Sequence, residues 1–243
     1  MIPTPRLGDE QQQRSTRRRP SLGMCAVATA AVALLLGLVV APEAAVQGQP
    51  QRLMYLHVPS AWTAFLCFGA VALCSIAQLL RRPGSWAEIA QAAAEMGVAT
   101  TGLTLAEGSL WGHASWGVWW AWDPRLVSTA VLFVSYVAYL ALRALPAAVV
   151  PPRAAAWVGL ASAFEIVIVH FSVVWWRTLH QGPTLLQPGL SAPPIAPLML
   201  VALLVALVAS TLGAIWYVRA RVSGMVLRRP TQQAERAMTK VSA

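Results

Sequence analysis

Six uninterrupted apolar runs constrain this chain more than any other feature of its sequence. They lie near residues 24–41, 60–80, 89–107, 126–145, 155–176 and 195–218. Each is close to the length that an α-helix needs to cross a hydrocarbon layer about 30 Å thick. With 57% hydrophobic and 11% charged residues, the chain is too apolar for a water-soluble domain. We therefore predict an all-α, polytopic membrane protein with six transmembrane helices.

Short polar or Pro/Gly-rich connections divide these runs and define three regions. We assign residues 1–23 to a basic arm, 24–220 to a six-helix membrane domain and 221–243 to a C-terminal tail. The first run follows RSTRRRP and has a length that is also typical of a cleaved signal peptide. We favour an ordinary first helix, because five further spans follow it.

The basic residues indicate how the helices are oriented. With the N-terminus in the cytoplasm, fifteen of the eighteen Lys and Arg residues fall on the cytoplasmic side. This asymmetry is the positive-inside pattern. It predicts two cytoplasmic termini and a Trp-rich segment on the opposite side, between helices 3 and 4. Topology and contact with membrane lipid also account for the net charge of +9, and we expect no nucleic-acid partner.

The Trp-rich segment reads WGHASWGVWWAWD and covers residues 111–123. In a continuous helix, its indoles and Asp123 would share one half of the circumference, with His113 and small residues on the other half. Gly112 and Gly117 have no side chain, so a broad ligand could approach the backbone there, or the chain could bend. One interpretation is an aromatic belt at the membrane surface. We favour a flat plate for a planar ligand, because five of the eleven tryptophans crowd into this segment: Trp111, Trp116, Trp119, Trp120 and Trp122.

Two of the four histidines lie at outer helix ends. His57 precedes Pro59, which suits the first turn of the second span, and His180 precedes Gly182 and Pro183, which we expect to end the fifth span. Imidazoles on separate segments beside an aromatic plate are suited to ligate a haem iron from opposite faces. The alternative is that both histidines only anchor helix ends.

The other two histidines have simpler interpretations. We expect His170 to hydrogen-bond within the bundle, because it lies among apolar residues of the fifth span. His113 lies on the small-residue side of the plate, and we interpret it as an interfacial polar residue.

Three arginines are the only basic residues on the outer side: Arg52, Arg125 and Arg177. Arginine forms paired contacts with carboxylates, so Arg52 and Arg125 are candidates for binding haem propionates. Alternatively, Arg125 pairs with Asp123 and the others extend to lipid headgroups.

Three glutamates also lie in or beside spans. For Glu95 and Glu165 we expect helix pairing or contact with a partner subunit, because an acid in a membrane needs a partner. Glu107 is expected near the outer boundary, where it reaches water.

Three blocks of the sequence resemble the haem exporter protein C (CcmC) family of cytochrome c biogenesis. They are QGQPQRLMYLHVPSAW, the WWD-like WGHASWGVWWAWDPRL, and HFSVVWWRTLHQG, over roughly residues 47–220. The resemblance implies a six-span protein of the bacterial inner membrane that holds non-covalent haem b on the periplasmic side. His57 and His180 would be the axial ligands. The WWD block would bind the ring through Trp111, Gly112, Trp116, Gly117, Trp119, Trp120, Trp122 and Asp123.

The resemblance also implies partners and a role. The chain would pass haem to the chaperone CcmE and work with the ABC transporter subunits CcmA and CcmB and with CcmD. ATPase activity is expected in a partner, since this chain has no phosphate-binding G-x-x-x-x-G-K-[ST] loop. We expect a binding and transfer protein rather than an enzyme. The alternatives are a cytochrome c haem lyase component of the wider WWD family and a small-solute transporter.

This sequence departs from the family pattern at three positions. Glu165 and Val167 stand where the family often has Asn and Pro, which predicts a straighter fifth helix, and Pro124 stands where Ala is frequent.

Overall fold

The computed structural model describes residues 21–146, 148–180 and 195–241, with side chains up to residue 227. In this part of the chain the fold is all-helical, without β-strands. The six long helices are α1 Leu22–Leu35, α2 Met54–Leu79, α3 Trp86–Trp116, α4 Pro124–Ala144, α5 Pro152–Trp175 and α6 Pro197–Val241. A π-helical turn, Leu36–Val40, extends α1, and a 3₁₀ turn, Gln49–Leu53, precedes α2.

Five of these helices are long and apolar enough to cross a membrane, and α3 is the exception. It has 31 residues and a length of about 46 Å, so length is not what it lacks. Its sequence is rich in Ala, Gly and Thr, and many of these small side chains are buried against neighbouring helices. Small residues let helices pack closely in a membrane. The six-helix prediction is confirmed, with α3 as the least apolar member.

Helix ends differ from the predicted boundaries at several places. We had expected Pro59 in the first turn of α2. The helix begins earlier, at Met54, so Pro59 lies inside it. Helix α5 ends at Trp175; Gly182 and Pro183, the expected end, lie outside the described residues. Helix α6 continues without a break through position 221, where the sequence suggested that a tail begins.

The centre of the bundle is packed around two stacked rings. The ring centroids of Phe68 in α2 and Tyr136 in α4 are 3.7 Å apart, and the ring planes differ by 13°. Both side chains are fully buried. A side chain on Gly97 of α3 would come within 2.4 Å of Phe68, so glycine allows this close packing. The Tyr136 hydroxyl donates to the Gly159 carbonyl of α5 at 3.3 Å. Four helices thus form one core beneath the site described below.

Two of the membrane acids pair with neighbouring helices, as the sequence suggested. Glu95 accepts hydrogen bonds from Arg221 at 2.7 and 3.0 Å and from Tyr217 at 3.1 Å, which joins α3 to α6. Glu165 accepts a hydrogen bond from Ser135 at 2.9 Å, which joins α5 to α4.

Two expectations were wrong. Glu107 was expected at the outer boundary of the membrane, in reach of water. It is instead buried, with 7% of its surface exposed, because α3 packs inside the bundle at this position. His170 does not hydrogen-bond within the bundle. Its side chain faces outward, contacts the Phe171 ring at 4.9 Å, and makes no hydrogen bond to the described residues.

Candidate functional site

His57 is the fourth residue of α2 and packs directly against α3. A Cβ atom on Gly108 would lie 3.0 Å from Cε1 of His57, so the absence of a side chain there makes room for the ring. One turn further along α3, Trp111 meets the imidazole edge-on, with centroids 5.8 Å apart. The ring also lies within hydrogen-bonding range of the Thr104 carbonyl. Rigid helices therefore hold this histidine on two sides.

His180 is held differently, by a short irregular segment that follows α5. The chain leaves the helix in an extended conformation at Trp176 and folds toward the start of α4. There the Leu179 amide donates to Oδ2 of Asp123 at 2.6 Å. The His180 amide donates to Oγ1 of Thr178 at 2.9 Å. The Trp116 ring flanks the imidazole, with ring centroids 5.6 Å apart and an angle of 67° between the ring planes.

The two imidazoles lie close together, with a gap between their rings. Their centroids are 6.5 Å apart and their planes are tilted by 33°. The Nδ1 atom of each ring is buried and has no hydrogen-bond partner among the described residues. Burial, assisted by the charge of Arg125 and opposed by that of Asp123, lowers the pKa of His180 to about 4. It is therefore neutral at pH 7, which is the form that binds metals.

The Trp-rich segment is not one continuous helix, so that part of our prediction was wrong. Helix α3 ends at Trp116, where Gly117 adopts a left-handed conformation with φ of 76°. The chain then crosses to Asp123 without helical structure, held over α3 by a 2.6 Å hydrogen bond from Ser109 to the Trp119 carbonyl. The half-circumference arrangement of the indoles does not form.

The five indoles instead fall into two groups. Trp111 and Trp116 contact the histidines, and Trp120 lines the cavity between them. Trp119 and Trp122 lie outside it, with 55% and 86% of their surfaces exposed.

Two smaller residues of the segment support these indoles. Trp119 stacks on His113, with ring centroids 4.1 Å apart. Trp116 packs over Gly112, where a Cβ would lie 3.3 Å from the indole.

A cavity opens between α2, α3, α4 and α5 and contains both imidazoles. Its empty volume is about 640 Å³, including the part that is open to the outside. Its lining is mostly apolar and reaches Leu132 and Val169, deep in the bundle. Apolar walls with a few convergent polar groups are typical of sites for small molecules and cofactors.

Arg125 is the arginine that lines this cavity. Within the described residues its guanidinium forms no hydrogen bond or ion pair; Asp123 accepts from its backbone amide. The charge of Asp123 acts on Arg125, but the two side chains form no direct hydrogen bond or ion pair in the described part of the chain. Arg52 lies elsewhere, donating to Oε1 of Gln49 at 2.6 Å and to the Gly37 carbonyl at 3.2 Å. Arg177 is exposed.

Asp123 lies at the junction of these parts and is 5% exposed. Oδ1 accepts hydrogen bonds from the amides of Arg125 at 2.8 Å and Leu126 at 3.4 Å, which caps α4. Burial by itself raises the pKa of the carboxyl. Hydrogen bonds from the Thr178 side chain and from the Leu179, Arg125 and Leu126 amides outweigh that effect and lower the pKa below its usual value. The Asp123 side chain is therefore ionised at neutral pH.

Sequence patterns did not point to Gly108, Ser109 or Thr178. Their roles depend on contacts with distant parts of the chain. The one available signal was that Gly108 is a glycine inside a helix. Such a glycine often marks a place where another part of the protein packs closely against the helix.

Comparison with known proteins connects this geometry to a family. The model of the family described as CcmC, Heme exporter protein C, matches residues 8–237. A Heme exporter protein C from Bradyrhizobium diazoefficiens is 37% identical over 206 residues, which are 83% of this chain and 78% of that protein.

Two further relatives agree. The Heme exporter protein C of Escherichia coli K12 is 36% identical over 181 residues, 74% of each chain. A ccmC-like mitochondrial protein of Marchantia polymorpha, described as a cytochrome c biosynthesis protein, is 37% identical over 170 residues. Those residues are 70% of this chain and 72% of that protein.

Proposed function

Because the chain belongs to the Heme exporter protein C family, we propose that it binds haem between His57 and His180 and transfers it to the chaperone CcmE. Its relatives support the broader role, a membrane subunit for haem export and cytochrome c biogenesis. The chain handles haem as cargo and is not itself an enzyme.

The spacing of the two imidazoles is the observation that carries this proposal. Imidazole–metal bonds are about 2.0–2.1 Å long, so two rings that ligate one ion from opposite sides have centres roughly 6 to 6.5 Å apart. The His57 and His180 centroids are 6.5 Å apart. Their buried, unpartnered nitrogens also favour a ligand in the gap. The Thr104 carbonyl near His57 is the kind of outer contact that orients a ligating histidine.

The surroundings of the histidines suit the rest of a haem molecule. The apolar cavity wall, with Trp120, would contact the porphyrin, and Trp111 and Trp116 would buttress the two imidazoles. Arg125, whose guanidinium forms no hydrogen bond or ion pair within the described residues, offers a positive charge to a propionate. We propose non-covalent haem b. Gly112 and Gly117 would shape the wall without touching the iron, whereas the Arg52 side chain is directed to Gln49 and the Gly37 carbonyl.

Transfer requires that one axial bond be exchanged for a donor on the chaperone. His180 is the ligand suited to exchange, because it lies outside the helices, five residues beyond the end of α5, while His57 belongs to a helix. The exposed Trp119 and Trp122 belong to the non-helical chain between Gly117 and Asp123 and would offer an apolar surface to a partner.

The cellular setting follows from the family and from the distribution of charge. We place the chain in the bacterial inner membrane, with the histidine cavity on the periplasmic side and most of the Lys and Arg residues on the cytoplasmic side. CcmA and CcmB would supply ATP hydrolysis, and CcmD would complete the complex.

An absorption spectrum of the purified full-length protein tests the proposal. We expect bound haem with a six-coordinate, low-spin spectrum that is lost or converted to a five-coordinate form in His57→Ala and in His180→Ala. The matched controls are His113→Ala and His170→Ala, whose exposed imidazoles lie outside the cavity lining. A wild-type protein without haem, or an unchanged spectrum in both ligand variants, would contradict the proposal.

A further inference from the structure

The Asp123 carboxylate connects two parts of the chain that are far apart in sequence. Oδ1 accepts from the amides of Arg125 and Leu126 at the start of α4. Oδ2 accepts from the amide of Leu179, 56 residues later, at 2.6 Å. The side chain is 5% exposed, so both oxygens act inside the protein. Asp123 is therefore more than an ordinary helix cap.

A second hydrogen-bonded connection leads from Asp123 to the histidine itself. The Thr178 side chain hydrogen-bonds to Asp123, and its Oγ1 accepts from the His180 amide at 2.9 Å. The segment after Trp175 is therefore attached to Asp123 at the two residues directly before His180. Fixing the backbone there limits where the imidazole can lie.

We propose that Asp123 is a positioning residue, which holds His180 opposite His57 by fixing the backbone of residues 178 and 179. This inference rests on the proposed function and gives Asp123 a role different from contact with the porphyrin. A carboxylate whose two oxygens already accept these hydrogen bonds has little capacity left for a ligand.

The two tasks of Asp123 can be separated by substitution. Serine is as good a helix cap as aspartate, so Asp123→Ser retains the cap of α4. Its single, shorter side-chain oxygen cannot also hold Leu179. Asp123→Ala removes both interactions. Ser21→Ala is a matched control for the loss of a cap, because the Ser21 hydroxyl caps α1 through the Met24 amide at 3.2 Å.

Hydrogen exchange in the haem-free protein tests the backbone contact directly. We expect the amide of Leu179 to exchange about tenfold faster or more in both Asp123 variants, since a lost hydrogen bond exposes it to solvent. Ser21→Ala should leave that amide unchanged. Equal protection in wild type and Asp123→Ser would overturn the proposal. This measurement does not depend on haem, so its failure is distinct from failure of the proposed function.

The spectrum of the haem-loaded protein tests the effect on the ligand. We expect Asp123→Ser to melt within a few degrees of wild type but to shift bound haem toward the five-coordinate form. Added imidazole should restore the six-coordinate spectrum, because it replaces a ligand that is present but misplaced. An unchanged spectrum, or a loss of haem that imidazole does not reverse, would overturn the positioning role.

Discussion

The two histidines of the cavity are held by opposite means. His57 belongs to the second helix and is packed against Gly108 and Trp111 of the third, so its place is set by the packing of long helices. His180 lies beyond the end of α5 and is held by hydrogen bonds to its neighbouring backbone. Packing of helices resists displacement, whereas a short segment can open locally at low cost.

This difference suits a protein that must both hold and release its cargo. A ligand fixed by helix packing keeps the haem oriented while the other ligand is exchanged. Two equally rigid histidines would bind the haem more tightly and release it more slowly. The comparison therefore predicts that changes near His57 mainly weaken haem binding, while changes near His180 mainly alter the rate of release.

Gly108→Val should have the largest effect, because it acts on the rigid side. A Cβ at this position would already lie 3.0 Å from the His57 ring, and valine adds two further methyl groups. Overpacking of this kind costs about 1–3 kcal/mol, so we expect haem affinity to fall about tenfold or more. Haem titration of the purified variant measures this effect.

Gly69→Val in α2 is the matched control for Gly108→Val. A Cβ there would meet nothing within 4 Å, so we expect haem affinity to remain at the wild-type value. Wild-type affinity in Gly108→Val would show that His57 moves freely, and the proposed contrast between the two histidines would then be wrong.

The two flanking tryptophans provide a paired test of intermediate size. Trp116 is 38% exposed and meets His180 edge-on, an interaction worth about 0.5–1.5 kcal/mol. We therefore expect Trp116→Ala to melt close to wild type and to lose haem to apomyoglobin about fivefold faster, with rescue by imidazole.

Trp111→Ala should behave differently. Trp111 packs against the cluster that contains Met54, Tyr55 and Leu203, so its loss should lower the melting temperature. Imidazole should not rescue haem binding, because the helix packing that holds His57 is disturbed. Identical behaviour of the two variants would remove the distinction between a rigid and a releasable side.

The sequence predicted the helices well because apolar length identifies a membrane span, and five of the six described helices meet that criterion. It placed the six spans correctly but not all of their ends, which depend on tertiary contacts. The end of α3 had a recognisable signal: Gly117 is a typical helix terminator, and Asp123 followed by Pro124 is a typical helix start. These residues divide the Trp-rich segment, whereas the grouping of its indoles depends on contacts with other parts of the chain.

The site was predictable in its residues but not in its arrangement. His57 and His180 stood out through the family resemblance and their place at helix ends, and the structure brings them close together. The division of the indoles, the space at Gly108 and the contact of Asp123 with Leu179 arise only when distant segments meet. No local pattern encodes a hydrogen bond across 56 residues.

Thr178→Val should have the smallest effect and refines the description of the releasable side. The substitution keeps the shape of the side chain but removes the hydroxyl that links Asp123 to the His180 amide. A single hydrogen bond contributes about 0.5–1.5 kcal/mol, and Leu179 remains bound to Asp123. We expect haem loss to apomyoglobin to become two- to threefold faster, at an unchanged melting temperature. Thr178→Ser retains the hydroxyl and should match wild type. An effect as large as that of Asp123→Ser would mean that Thr178, and not the Leu179 amide, is the main attachment of the histidine segment.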